Sequence, residues 1–330
     1  MGNQRKKKKK KNRIHIRRVL FGIIALVVVF SGCYLARSVY IKAKGPKAAE
    51  EVDSTQDAAN KTTEEIKKNC WEEKDGKSYY YGEEGEILTG RFVLQDEKKI
   101  YYTDDDGAVT RVVDGNKPMI AFTYDDGPSV FSADLAALFD QYDSAATFFE
   151  VGNRIEEIPS LEAQEQAIAD SNSELANHTY SHKNLTRISK ADMIAQIEKN
   201  NEVLKNFGET ADPILFRVPE GAVNDTVKQN CHAPIILWSL DTLDWKCRNV
   251  QTVYDSAKKA QDGDIILMHS LYETTLKASK KLVPEFINKG YQLVTVTDLA
   301  EFRGGLQNGE KYFSFPPLEE EEQESEAAGE

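Results

Sequence analysis

Residues 118–128 read PMIAFTYDDGP. An apolar run of strand length, 119–124, stops at two adjacent carboxylates followed by Gly-Pro, a turn-forming pair. The same arrangement recurs downstream. Apolar runs at 146–149, 174–177, 215–218, 235–240, 264–268 and 291–296 read as further strands. Segments 132–142, 162–171, 189–207, 250–261 and 276–289 lie between most of them and carry apolar spacing near the helical period. Ser189 with Asp192 reads as a variant capping box, and Gly208 and Gly290 as helix stops. Strands alternating with helices predict a parallel sheet. Seven strands over this length predict a closed or nearly closed α/β barrel, with a doubly wound open sheet as the alternative.

Chemistry-bearing residues gather where these strands end. The first strand runs into Asp125-Asp126, the third into His178-Thr179-Tyr180-Ser181-His182, the fourth into Arg217-Val218-Pro219-Glu220-Gly221. The fifth runs into Asp241-Thr242-Leu243-Asp244-Trp245 and the sixth into Met268-His269-Ser270. Two histidines four apart share a face if their segment is helical, so both rings reach one ion. A carboxylate from another strand completes a set of two imidazoles and one carboxylate with open positions. Asp125 and Asp126 repel when both are charged. A cation removes that conflict by ligating one and leaves the other as a base. Arg217 is suited to hold that base and His269 to supply a proton. Each motif alone is weak, since Asp-Asp-Gly-Pro is an ordinary turn and HxxxH an ordinary helical pair. Their shared placement after successive strands carries the reading.

In order, TYDDGP (123–128), HTYSH (178–182), RVPEG (217–221), DTLDW (241–245) and ILMHS (266–270) resemble the five motifs of the NodB-homology polysaccharide deacetylases, carbohydrate esterase family 4. The resemblance spans about 118–305 and implies a distorted (β/α)7 barrel holding a divalent metal, usually zinc, with cobalt or another divalent ion as the alternative. It implies that Asp126, His178 and His182 are the ligands and Asp125 the general base. Arg217 would orient Asp125, Asp241 would tune His269, and His269 would be the general acid. Trp245 and Leu267 would line the acetyl pocket, with Pro219 and Glu220 at the substrate. The implied reaction is hydrolytic deacetylation of N-acetylglucosamine in a cell-wall polysaccharide. Chitin oligomers, O-acetylated xylan, or glycan binding without turnover are the alternatives. Val218 and Glu220 depart from the usual third motif, and Ser270 stands where an acid commonly follows the histidine. A carboxylate at 220 is unfavourable beside a developing oxyanion unless it points away.

The remaining chain says where such a domain would work. Lys and Arg total 42 against 54 Asp and Glu, a net charge of −12, which argues against nucleic acid as the main partner. Four cysteines with no CxxC pair exclude a disulfide-stapled miniprotein and a zinc ribbon, and Cys231 and Cys247 are expected as thiols. Charge is uneven: Arg5, Lys6 to Lys11, Arg13, Arg17 and Arg18 make residues 1–18 strongly basic. Residues 19–36, VLFGIIALVVVFSGCYLA, hold no charge and span about 27 Å as a helix, close to a bilayer core. The basic flank predicts a single-pass anchor with a cytoplasmic N-terminus and an extracellular domain. Lipoprotein processing at Cys33 or a cleaved signal are the alternatives. Residues 37–69 read as a stalk. Residues 70–113 repeat a Tyr-Tyr pair (Tyr80-Tyr81, Tyr101-Tyr102) beside Gly turns, which predicts β-hairpins. They resemble wall-binding repeats, although Arg91 replaces Trp71 in the second copy; a plain spacer is the other reading. The Glu-rich stretch 307–330 reads as a disordered tail. No obligate protein partner is expected.

Overall fold

The computed structural model describes residues 67–318. The basic segment, the expected membrane span, most of the stalk and residues 319–330 lie outside them. Among the described residues no helix is long and apolar enough to cross a membrane.

The first hairpin joins β1 (Cys70–Lys74) to β2 (Lys77–Tyr81) through Asp75-Gly76. Both turn residues have positive φ, 54° and 74°, the geometry that matches the twist of a two-residue hairpin and favours Asp-Gly. Strands β3 (Arg91–Leu94), β4 (Lys99–Thr103) and β5 (Val109–Asp114) form an antiparallel sheet beside it. The aromatic rings of the repeat pack on one another. Trp71 sits 5.0 Å from Tyr80 and 4.8 Å from Tyr101 between centroids, and Phe92 stacks on Tyr101 at 5.3 Å. The exchange of Trp for Arg in the second copy has a clear use. Arg91 reaches the barrel, donating from Nε to Asp298 at 3.2 Å and from Nη2 to Glu301 at 2.8 Å. Asp298 is fully buried and also accepts from Tyr102 and Arg111. The repeat sheet is thereby bonded to the barrel through a charged network centred on Asp298.

The barrel is built on β6 (Met119–Gly127), β7 (Thr147–Glu150), β8 (Glu174–Asn177), β9 (Ile235–Ile236), β10 (Leu240–Asp241) and β11 (Ile265–His269). Its main sheet runs β10-β11-β6-β7-β8, all parallel, and β12 (Gln292–Leu293) pairs with the start of β6. Beyond β8 the ladder is thin: Phe216 alone bridges Asn177 to Ile235. The strand expected at 215–218 is that single bridge, the run 235–240 is divided, and 291–296 gives way to a helix at Val296–Glu301. The helices fall at Ser132–Asp140, Glu162–Ala169, Lys190–Lys205, Val250–Ala257 and Glu273–Asn288, close to expectation. Ser189 Oγ caps its helix on Asp192 N.

The C-terminal boundary expected at 306 is too early. Strand β13 (Lys311–Tyr312) pairs with β9, Ser314 bridges Asp264, and Phe315 is buried. This segment fills the gap between β9 and the start of β11 and closes the ring. A two-residue strand has no periodicity to read, and the acidic run behind it dominates the composition.

One pair inside the barrel runs against the usual rule for charged groups. Glu150 and Glu165 are both fully buried, and none of their four carboxyl oxygens meets a donor among the described residues other than each other. Burial pushes both carboxyls up, Glu165 to about 8. The folded pKa thus exceeds the unfolded one. The native state holds protons that the unfolded chain sheds, so stability is full below about pH 4.5 and is lost as pH rises towards 8. Glu174, partly buried and pushed by desolvation to about 7, acts in the same direction. Thermal melts should therefore show Tm falling from pH 5 to 8, and Glu165→Gln should flatten that slope. An unchanged slope in the variant would remove the pair as its cause.

Candidate active site

Parallel pairing brings the strand ends to one rim. In the β11–β6 register His269 lies opposite Asp125. Two adjacent residues of a regular strand point to opposite faces. Here the ladder slips between Asp125 and Gly127, and Asp126 adopts φ 68°, so both carboxylates reach the site. Gly127 is required for close packing of this turn, since a Cβ there would lie 2.5 Å from the Glu150 carboxyl and 2.7 Å from Ser270 Oγ.

His178 and His182 meet differently from expectation. Their segment is not a helix: Thr179 and His182 have φ of 69° and 52°, and two left-handed residues fold the loop back on itself. The rings lie 5.0 Å apart. His182 Nε2 is 3.1 Å and His178 Nε2 3.5 Å from Asp126 Oδ1. One ligand atom from each of the three residues lies within 4.8 Å of the others. His178 Nδ1 faces the Arg217 carbonyl oxygen at 2.8 Å, which fixes Nε2 towards the site. Asp126 Oδ1 is buried without an aligned hydrogen bond. An orphaned carboxylate oxygen facing two oriented imidazole nitrogens is a donor set that fits a divalent ion such as zinc or cobalt.

Arg217 is fully buried, and all three of its side-chain nitrogens donate. Nη1 donates to Asp125 Oδ1 and to Thr123 Oγ1, both at 2.7 Å, while Nε and Nη2 donate to the carbonyls of Ile236 and Leu237. Its plane packs 4.0 Å from the Phe149 ring centre. Asp125 is thus held at one oxygen, and its Oδ2 faces His178 Nε2 at 3.6 Å.

His269 is oriented by Asp244, not by Asp241. Nδ1 donates to Asp244 Oδ1 at 2.8 Å, and Asp244 Oδ2 accepts from His269 N and from Thr275 Oγ1. Asp241 instead accepts from Leu243 N and lines the cavity. Leu243, at φ 55°, turns the chain so that the buried Asp244 comes back under β11. Burial opposes the charged imidazole. The bond and charge of Asp244, with the fields of Asp125 and Asp126, outweigh that and raise His269 to about 9.

These groups open on a cavity of about 470 Å³ walled by Trp245, Leu267, Val218 and Trp238, the last of these not expected from sequence. Glu220 edges the cavity, but its carboxylate is tied to Asn184 Nδ2 at 2.7 Å; Pro219 is buried beneath the turn. Ser270 is buried behind Asp125, its N–H on the Asp125 carbonyl. Cys231 and Cys247 are unpaired thiols among the described residues.

Comparison with known proteins agrees with this geometry. Residues 112–233 match the polysaccharide deacetylase family model. A peptidoglycan-N-acetylglucosamine deacetylase of Bacillus cereus is 33% identical over 211 residues, which cover 60% of this chain and 95% of that protein. The chain belongs to the polysaccharide deacetylase family. The peptidoglycan-N-acetylmuramic acid deacetylase PdaC of Bacillus subtilis is 34% identical over 193 residues, and the chain spans only 40% of its length. The solved PdaC structure superposes with a TM-score of 0.53 at 33% identity, over 57% of this chain and 93% of that one. A family 4 acetyl xylan esterase from Clostridium thermocellum, solved with a cobalt ion, gives 0.55 at 27% identity over 60% of this chain and all of that one.

Proposed function

We propose that this protein removes acetyl groups by metal-dependent hydrolysis from N-acetylglucosamine in peptidoglycan, anchored to the membrane by residues 19–36. The observation that carries it is the convergence of Asp126, His178 and His182 between the Arg217-held Asp125 and the Asp244-held His269. The apolar run behind a basic flank supports the anchor, and the wall deacetylases among its relatives support the substrate.

Asp126, His178 and His182 would hold the ion, which when bound supplies Lewis acidity to water and to the acetyl carbonyl. Asp125 takes the proton of the attacking water at the carboxylate that Arg217 keeps in place. A main-chain N–H of the 217–221 turn would serve the developing oxyanion; those of Arg217 and Gly221 are taken by the Asn177 and Val218 carbonyls, which leaves Val218 and Glu220. His269 gives its Nε2 proton to the departing sugar nitrogen, since an amide anion is too poor a leaving group to go alone. Trp245 and Leu267 enclose the methyl group. Acetate and a free amine result.

The test is mass spectrometry of muropeptides after wall glycan is treated with the purified protein, with and without EDTA. Acetyl loss that EDTA stops and added divalent metal restores is the expected result. Glycan binding with no acetate released would make the protein a binding module instead.

A further inference from the structure

A polymer threaded past the metal triad needs room on both sides of it, and the structure has both. A second cavity of about 350 Å³ adjoins the first, and the two share Asp126 and His182. Its outer wall comes from the helix Gly152–Glu157 that follows β7, through Asn153, Arg154 and Glu157, and from Ser181.

The charge lining these cavities is one-sided. Asp125, Asp126, Asp241 and Glu220 face the first and Glu157 the second. Arg154 is the one Lys or Arg lining either of them. Arg91, Arg111, Arg217 and Arg303 each pair with a carboxylate, whereas Arg154 makes no ion pair among the described residues. Its Nε donates to the Pro128 carbonyl at 3.1 Å, next to the Asp125–Gly127 turn. That bond anchors the guanidinium and leaves both Nη groups without a protein acceptor among the described residues. An anchored guanidinium with free Nη groups is the shape that takes a carboxylate on two parallel bonds.

We propose that the second cavity is an anion subsite in which Arg154 binds a carboxylate carried by the saccharide unit next to the acetylated one. This rests on the reading of the triad as a site that works on a glycan polymer. Two parts of a wall glycan supply such a group: the lactyl ether of muramic acid, whose carboxylate is free once the stem peptide is removed, and the stem peptide itself. Chitin oligomers carry neither. The subsite therefore sets selectivity between charged and neutral chains, while the triad does the chemistry on both.

The experiment compares the full-length protein with Arg154→Gln and Arg154→Lys on three substrates: chitotetraose, peptide-free wall glycan and peptide-bearing wall glycan. The readout is the ratio of kcat/KM for each charged glycan to that for chitotetraose. A charge-assisted bond at a partly exposed site corresponds to about a tenfold change. That ratio should fall about tenfold in Arg154→Gln, through KM, and recover in part in Arg154→Lys. The charged glycan that shows the fall identifies the source of the carboxylate. An unchanged ratio on both charged glycans overturns the proposal. Affinities of the same glycans for Asp125→Asn, with and without Arg154→Gln, separate this proposal from the one it rests on. If the wild type releases no acetate but Arg154→Gln still weakens binding of a carboxylate-bearing glycan, the deacetylase reading falls and the subsite stands. If acetate is released while ratio and affinities ignore Arg154, the subsite falls alone.

Discussion

Asp125→Asn should lower kcat about a thousandfold and leave bound metal in place. The factor lies within the range for losing a positioned general base, about 10² to 10⁴. The separation of the two effects follows from geometry. Asp126 Oδ1, not Asp125, lies nearest both histidine Nε2 atoms, so the triad keeps its three ligands. Arg217 Nη1 donates to Asp125 Oδ1 at 2.7 Å, and the Asn side-chain oxygen can accept the same bond. The substitution therefore removes basicity while nearly preserving shape. An alanine would be a poorer test, because the fully buried Arg217 would lose its one carboxylate partner among the described residues and the barrel would be left with an unpaired buried charge, a cost of about 3 to 5 kcal/mol. Acetate release and metal content, measured on the same preparation, decide the matter. Retention of a tenth or more of the wild-type rate would remove Asp125 as the base, and loss of the metal would make it a ligand.

The same strand end shows what a sequence can and cannot display. Asp126, His178 and His182 are legible because each follows a strand, and parallel strands end together. The route by which the histidines meet is not. Helical spacing offers a simple explanation for HxxxH, but Thr179 and His182 adopt left-handed backbone that only the surrounding packing imposes. Glu150 is, in sequence, no more than a polar residue closing the apolar run ATFF. Its burial against Glu165 depends on a helix contributed by a later stretch of chain. Arg91 reads as a defect in a repeat, and its partners Asp298 and Glu301 lie some two hundred residues away. In each case the residue type is visible and its partner is not, because the partner is set by tertiary contact.

The DTLDW motif poses that problem most sharply, since it offers two carboxylates three apart and the chemistry needs one. Asp244→Asn should cost about 10² to 10³ in kcat, and Asp241→Asn far less. The buried Asp244 is bonded to the ring nitrogen and the main-chain N–H of His269, so it sets both tautomer and charge. An amide at 244 can present its NH₂ to Nδ1, which leaves that nitrogen without a proton, so Nε2–H belongs to a neutral imidazole, far too weak an acid to protonate the departing nitrogen. The loss of the carboxylate also removes the main support for the imidazolium, whose pKa stands at about 9. The general acid must carry its proton, so activity falls as pH rises through that value. Lowering the pKa moves the alkaline limb to lower pH, from near 9 towards the ordinary histidine value of 6.5. Asp241 bonds only the Leu243 N–H in this region, so its amide should leave the limb in place. Rate profiles of kcat/KM from about pH 6 to 10 for the wild type and both variants give the comparison. If the limb moves in Asp241→Asn and stays in Asp244→Asn, the hydrogen bond between Asp244 and His269 is not the one that governs the proton.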